Sequence, residues 1–269
     1  MRHLGDARDE RPRTALLLAA GMGSRLAPLT DSTAKCLVEL SGISILERLI
    51  RTLSSYGFTR LVVVVGHESD SIQDYLGTRS GDIEVSYVHS NCYRTTNNIY
   101  SLWLARKVID EPFLLIESDL VFDESLLEEM LKGDRIAVSR QLPWMNGTTV
   151  TLGGKKGISA FCLGKMAQPD ATHYKTVNIY SFTRSTWRAI CGRLDGYIAA
   201  LRTGDYYESV FAEMIADGSM SLVPVLFDAD SWYEIDTLAD LAAAALVFPR
   251  HSATIRLAAA GTLTAEVAV

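Results

Sequence analysis

The chain of 269 residues has only four cysteines, and Cys36, Cys92, Cys162 and Cys191 stand far apart. No C-x-x-C pair and no Cys/His cluster is present, which argues against zinc frameworks and a disulfide-stapled fold and predicts reduced thiols in a cytoplasmic protein. Long apolar runs are missing too, so no segment reads as a membrane span. Surplus positive charge is absent: 26 Lys and Arg face 32 Asp and Glu, a net charge of −6. Without a basic field to neutralise phosphates along a duplex, nucleic acid is excluded as the main partner. The five histidines are scattered, with none placed like a catalytic base. Residues 1–13 carry charge throughout and lack an apolar stretch, so they read as a mobile, disordered tail and not as a signal peptide.

What is present begins with Ala15-Leu16-Leu17-Leu18, a short apolar run that reads as a buried strand. It leads into Ala19-Ala20-Gly21-Met22-Gly23-Ser24-Arg25-Leu26. A glycine turn after a strand lets backbone N–H groups approach a polyanion, because no Cβ intervenes. Arg25 adds a planar fork of donors suited to phosphate oxygens, and Lys35 adds a compact point charge. This is equipment for a nucleoside triphosphate. Two familiar glycine loops are excluded. A dinucleotide fingerprint requires a third glycine where Leu26 stands, and a P-loop requires Gly-Lys-Ser/Thr, which is missing.

Hydrophobic content of 48% with 22% charge suits a soluble globular chain with a substantial core. Strand-like and helix-like segments alternate through its first half. Ser44-Ile45-Leu46-Glu47 has the form of a capping box before apolar residues at helical spacing. Leu61–Val65, Ile83–Val88 and Phe113–Ile116 read as strands, Ser69–Leu76 and Asn97–Val108 as helices, and Asp123 as a cap for a helix through Leu131. Such alternation predicts right-handed crossovers and a doubly wound, mostly parallel, Rossmann-like α/β sheet, with ligands at the carboxyl ends of its strands. From about residue 140 to 183 the pattern changes to short strands broken by Gly153-Gly154 and Gln168-Pro169-Asp170, which predicts a small antiparallel insertion at the open edge of the sheet. Helices are expected at Arg184–Arg193 and Tyr206–Ala216, a strand at Leu222–Val225, and a helix capped by Thr237 with Asp240. The domain therefore spans 14–248, and 249–269 is left unassigned, suited to a linker toward another module.

The run Leu-Ala-Ala-Gly-x-Gly-Ser-Arg-Leu-x-Pro-Leu-Thr, followed by Lys35-Cys36-Leu37-Val38, resembles the sugar-phosphate and choline-phosphate nucleotidyltransferases, whose fold is GT-A-like. Tyr93-Arg94-Thr95-Thr96-Asn97-Asn98-Ile99-Tyr100 and Trp232-Tyr233-Glu234-Ile235-Asp236 narrow the resemblance to the CTP-dependent branch, the phosphocholine and phosphonate cytidylyltransferases. The resemblance implies Mg²⁺ held by Asp119 and Asp236, with Glu117 as a third carboxylate reaching it through water. It implies a nucleotide site built from Ala19, Ala20, Gly21, Met22, Gly23, Ser24 and Ser118. Arg25 would hold the β and γ phosphates, and Lys35 would stabilise charge at the α phosphate. Asn97 and Asn98 could read cytidine or support the neighbouring loop; a cap on the following helix is the alternative for Asn97.

The acceptor is less sharply defined by the residues. An aromatic cage for phosphocholine could draw on Trp144, Trp232, Tyr206, Tyr207 and Glu208. The segment His173-Tyr174-Lys175-Thr176-Val177-Asn178-Ile179-Tyr180 instead resembles phosphonate-directed relatives. There Lys175, with Asn178, Trp144, Glu208 and Tyr233 around it, would receive the acceptor, Lys175 pairing with the acceptor's anionic head. The expectation is CMP transfer from CTP to 2-hydroxyethylphosphonate, as in the fosfomycin-pathway module, or to 2-aminoethylphosphonate. Phosphocholine is the first alternative; a sugar 1-phosphate, or a non-catalytic nucleotide sensor, is the second. The resemblance also implies fusion to, or association with, another phosphonate-pathway enzyme domain.

Overall fold

The computed structural model describes residues 11–143, 145–153, 157–164 and 173–249. Trp144, most of the charged N-terminal stretch and nearly all of the unassigned C-terminal stretch lie outside the described residues.

Strand β1 (Thr14–Ala19) passes through two 3₁₀ turns, Ser24–Leu26 and Lys35–Leu37, to a small hairpin of β2 (Glu39–Leu40) and β3 (Ile43–Ser44). Then follow α1 (Ile45–Ser55), β4 (Arg60–Val65), α2 (Ser69–Leu76), β5 (Arg79–Ser80), β6 (Ile83–His89), α3 (Asn98–Ala105) and β7 (Phe113–Glu117). Parallel pairing runs in the order β7, β1, β4, β6. The chain steps outward from β1 through β4 to β6, then returns across α3 to lay β7 on the other side of β1. The strand order therefore reverses between β1 and β7. Crevices form at such a reversal because the loops leaving the two strands diverge to opposite faces.

The second half contributes β8 (Leu120–Phe122), a 3₁₀ segment Glu124–Leu131, β9 (Arg135–Arg140), β10 (Thr149–Leu152), β11 (Ile158–Cys162) and β12 (His173–Phe182). Helices α4 (Arg184–Ala199) and α5 (Tyr207–Ala216), strands β13 (Val223–Phe227) and β14 (Trp232–Glu234), and α6 (Leu238–Val247) complete it. The antiparallel strands continue the main sheet: β12 pairs with β7 from Ile179 opposite Ile116 to Phe182 opposite Phe113, and it carries β10 and β9 on its other positions. The segment after Asp123 forms a 3₁₀ run, shorter-stepped than the expected α-helix, with the Asp123 side chain accepting from Ser125 N.

Both faces of the parallel strands are covered, which explains their unbroken apolar sequences. Leu17, Val63, Val65 and Ile116 pack under Leu46, Leu49 and Leu53 of α1 and Ile72 and Leu76 of α2. Their neighbours Leu16, Leu18, Val62, Val64 and Leu115 pack on the opposite face against α3, α4 and α5. Burying each such side chain contributes about 1.5–3 kcal/mol. The helix starts follow local chemistry: Ser44 accepts from Glu47 N, and Thr237 with Asp240 closes a reciprocal capping box. No helix among the described residues is long and apolar enough to cross a membrane.

Candidate active site

The carboxyl ends of β1 and β7 lie side by side, with Leu18 opposite Glu117. The glycine turn therefore opens next to the segment Glu117-Ser118-Asp119. Gly23 adopts φ +60°, and a Cβ there would stand 3.1 Å from Lys35 Cβ and 3.2 Å from Thr30 Cγ2. A left-handed conformation and close packing together demand glycine at this position. Thr30 Oγ1 donates to Gly23 O at 2.8 Å, which locks the turn against the Lys35 segment. Gly21 lines the cavity, and a Cβ there would meet no protein atom within 4 Å. A second brace comes from β4: His67 N donates to Ala20 O at 3.2 Å, while a Cβ on Gly66 would lie 2.7 Å from that same oxygen and 2.9 Å from the Tyr93 side chain. Gly66→Ala is therefore expected to displace the turn and cost about 1–3 kcal/mol as overpacking. A denaturation midpoint equal to that of the unaltered protein would show that the turn yields freely.

The two aspartates, 117 residues apart in sequence numbering, meet through one short pairing. Strand β8 pairs antiparallel with β14, Leu120 opposite Glu234, and Ile235 N donates to Asp119 O at 2.9 Å. Asp119 precedes the first strand and Asp236 follows the second, so both side chains reach Lys35. Its Nζ lies 2.7 Å from Asp119 Oδ2 and 2.7 Å from Asp236 Oδ1. The two oxygens are thus separated by no more than twice that distance. Arg25 Nη2 reaches the same Asp236 oxygen at 2.7 Å. Burial works against the Lys35 charge, but Asp119 and Asp236 outweigh it and hold its pKa above the ordinary lysine value. Asp119 Oδ1 is buried without a hydrogen-bond partner.

All the nucleotide-side residues named from the sequence, from Ala19 to Arg25 with Lys35, Asn97, Asn98 and Ser118, line one cavity of about 330 Å³. Asn97 and Asn98 divide their work. Asn97 is the N-cap of α3, its side chain accepting from Asn98 N at 2.8 Å. Asn98 turns inward: its Nδ2 donates to Glu117 Oε1 at 3.1 Å and its Oδ1 accepts from Tyr207 N at 3.0 Å. In the unliganded site the carbonyl and amide of Asn98 each hold a protein group while the residue lines the nucleotide cavity. Glu117 likewise faces inward, its Oε1 accepting from Asn98 and, at 2.8 Å, from the Tyr207 hydroxyl. Burial, then the nearby Asp119 and Glu208, push its carboxyl up to about 8. Among the described residues no group of three metal-ligating side chains is assembled, and Glu117 lines the same two cavities as Asp119 and Asp236.

A second cavity, of about 570 Å³, adjoins the first, sharing Arg25, Asn98, Glu117, Asp119, Tyr206 and Asp236 with it. Lys175, Asn178 and Glu208 line it. Lys175 is only 2% exposed; its Nζ donates to Thr176 O at 2.7 Å and pairs with Glu234 at 3.3 Å. Its ammonium lines the cavity and is paired there with Glu234. Asn178 takes φ +61° where the β12–β9 register shifts, and its Oδ1 accepts from Thr176 Oγ1. Tyr233 is displaced from the proposed acceptor role. Residues alternate along β14, so Trp232 and Glu234 face the cavity while Tyr233 packs with Leu26, Val121 and Ile235. Tyr207 is core, with its hydroxyl on Glu117. Glu234 carries no role in the reading of the sequence; the period-two pattern between Trp232 and Asp236 is the signal that would have pointed it inward.

Residues 14–139 match the family model described as nucleotidyl transferase. Its relatives include the CMP-5'-(3-aminopropyl)phosphonate synthase of Streptomyces rubellomurinus, 29% identical over 244 residues that cover 86% of this chain and 38% of that one. The 2-aminoethylphosphonate cytidylyltransferase of Lancefieldella rimae is 26% identical, covering 85% of this chain and 90% of its own. In fold, the solved CTP:phosphocholine cytidylyltransferase of Streptococcus pneumoniae superposes with a TM-score of 0.77 at 21% identity, over 88% of this chain and 99% of that structure. The chain spans well under half of the Streptomyces protein and 32–54% of three further curated relatives.

Proposed function

We propose that this chain transfers CMP from CTP to a phosphonate or phosphate ester and releases pyrophosphate. One observation carries the reading: the glycine-turn cavity and the acceptor-sized cavity meet at the Asp119–Lys35–Asp236 cluster, where a transferred α phosphate would sit between donor and acceptor. An acceptor phosphonate oxygen is ionised near neutral pH. It attacks the α phosphorus, a new P–O bond forms, the bond to the bridging oxygen breaks, and pyrophosphate leaves with that electron pair. No proton must move, in keeping with a site that has no histidine positioned as a base.

The chain's own groups then have distinct tasks. N–H groups of the Gly21–Ser24 turn and the Arg25 guanidinium hold the β and γ phosphates, and Lys35 stabilises the charge that grows as pyrophosphate separates. The donor set also fits a divalent cation, because Asp119 Oδ1 is buried without a hydrogen-bond partner. Asp119 and Asp236 would hold Mg²⁺, which when bound supplies charge neutralisation for the triphosphate. Names of the relatives support cytidine as the base.

Pyrophosphate release measured with CTP, UTP and dTTP, each with phosphonate and phosphate-ester acceptors, tests the reading. Turnover with CTP is expected to exceed that with the other two by about 10-fold or more, as for a site that hydrogen-bonds its base. Chelation is expected to abolish release and added Mg²⁺ to restore it. Release with UTP or dTTP and a sugar 1-phosphate, but none with CTP, would overturn the assignment.

A further inference from the structure

Six carboxylates line the larger cavity, Glu117, Asp119, Glu208, Glu234, Asp236 and Asp240, against two cations, Arg25 and Lys175. Five of the six already have strong partners. Asp119 and Asp236 are paired with Lys35, Glu234 with Lys175, Glu117 receives Asn98 and Tyr207, and Asp240 caps α6. Glu208 has no such ion pair; of the other five, Asp119 also keeps one oxygen, Oδ1, without a partner, but its second oxygen is held by Lys35. Glu208 sits in the first turn of α5, is 4% exposed, and its Oε2 is buried with no hydrogen-bond partner among the described residues. Burial pushes its carboxyl up to about 7, with Lys175 and Asn98 only partly offsetting that push. A buried carboxylate oxygen left open at a cavity wall is costly unless a ligand donates to it.

The same cavity holds Arg25, and Asp236 on its wall is shared by Arg25 and Lys35, cations that suit the acceptor's anionic group. We propose that the acceptor is an ω-amino phosphonate whose primary ammonium donates to Glu208 Oε2, and that Glu208 is the specificity-determining residue of the site. The inference rests on the CMP-transfer reading above. It also separates the candidate acceptors chemically. A trimethylammonium head has no N–H to give and needs an aromatic cage. Here the Trp232 ring already has Lys175 Nζ 5.9 Å from its centroid, and the Tyr207 hydroxyl is engaged by Glu117. A neutral hydroxyl head could donate one hydrogen bond but would leave the carboxylate charge unanswered.

The test compares kcat/KM for 2-aminoethylphosphonate, 2-hydroxyethylphosphonate and phosphocholine in the unaltered protein and in Glu208→Gln, which keeps shape and removes charge. The unaltered protein is expected to prefer the amino over the hydroxy acceptor by about 100-fold, the scale of a charge-assisted hydrogen bond. In Glu208→Gln that ratio is expected to fall to within about 5-fold, chiefly through acceptor KM and with KM for CTP retained, since only the charge-assisted part is lost. A ratio that survives the substitution, or equal turnover of phosphocholine by the unaltered protein, would overturn the role of Glu208 while leaving CMP transfer standing. Absence of pyrophosphate with every acceptor would overturn CMP transfer itself. Calorimetric binding of 2-aminoethylphosphonate and of ethylphosphonate to the unaltered protein gives an answer independent of the variant's folding. Tighter binding of the amine supports the assignment, and equal binding refutes it.

Discussion

Lys35→Met is expected to reduce pyrophosphate release from CTP by about 1,000-fold, the usual scale for removing a donor aimed at developing charge. The side chain stands where three functions coincide. It is the ammonium shared by Asp119 and Asp236, it closes the space beneath Gly23, and it lies at the junction of the two cavities. Methionine retains the stem that packs under Gly23, so the substitution isolates the charge. Two carboxylates that share one cation would then face each other with only Arg25 on Asp236, and Arg25 is largely exposed. Stability is expected to fall by about 3 kcal/mol, the lower range for breaking a mostly buried pair. Steady-state turnover and a denaturation curve check the two effects separately. A variant that keeps more than a tenth of the original turnover would remove Lys35 from the chemistry.

The second large effect is expected at Asn98, and it is one of stability. Asn98→Ala deprives Glu117 of a donor and Tyr207 N of its acceptor in a single step. Each buried polar group left unpaired costs about 1–3 kcal/mol, so a total loss of about 3 kcal/mol is expected. Asn97→Ala removes only a helix cap and is expected to cost about 1 kcal/mol. Urea denaturation of the two variants side by side decides the matter. Equal midpoints would mean that the Asn98 network carries no more than a cap does. The comparison is sharp because adjacent residues of identical type are given different work by the direction in which each side chain points.

The acid-rich wall and the glycine turn place opposite demands on the same short region, and β1, β4 and β7 reconcile them. The turns after β1 supply the N–H groups and cations, while carboxylates come from Glu117 and Asp119 at the end of β7, Glu208 of α5 and Glu234 of β14. Lys175 keeps that wall tolerable by pairing with Glu234 inside the sheet, a task for which a solvent-exposed lysine would be useless.

Much of this was legible in the chain. The strands β1, β4, β6 and β7, the caps at Ser44, Asp123 and Thr237, and the glycine turn with Arg25 and Lys35 are all written locally. Periodicity reports burial, short polar side chains report orphaned N–H groups, and glycine reports a backbone that must turn or be approached. The limits have equally specific causes. Tyr233 was assigned inward because its segment is rich in function, but the two-residue period of β14 sends Trp232 and Glu234 to the cavity and Tyr233 to the other side. Lys175 reads as a partner for an acceptor's anionic head, and its pairing with Glu234 emerges only where β9 and β10 flank β12. Asn98 and Glu117 carry no local mark of their bond, nor Lys35 of its two aspartates 84 and 201 residues away. The sequence by itself determined the alternation of elements and the phosphate-binding turn, because backbone conformation and burial period act over a few residues. Only the tertiary structure decided which acids share a cation and which carboxylate oxygens are left open, because electrostatic partnership depends on distance through space and not along the chain.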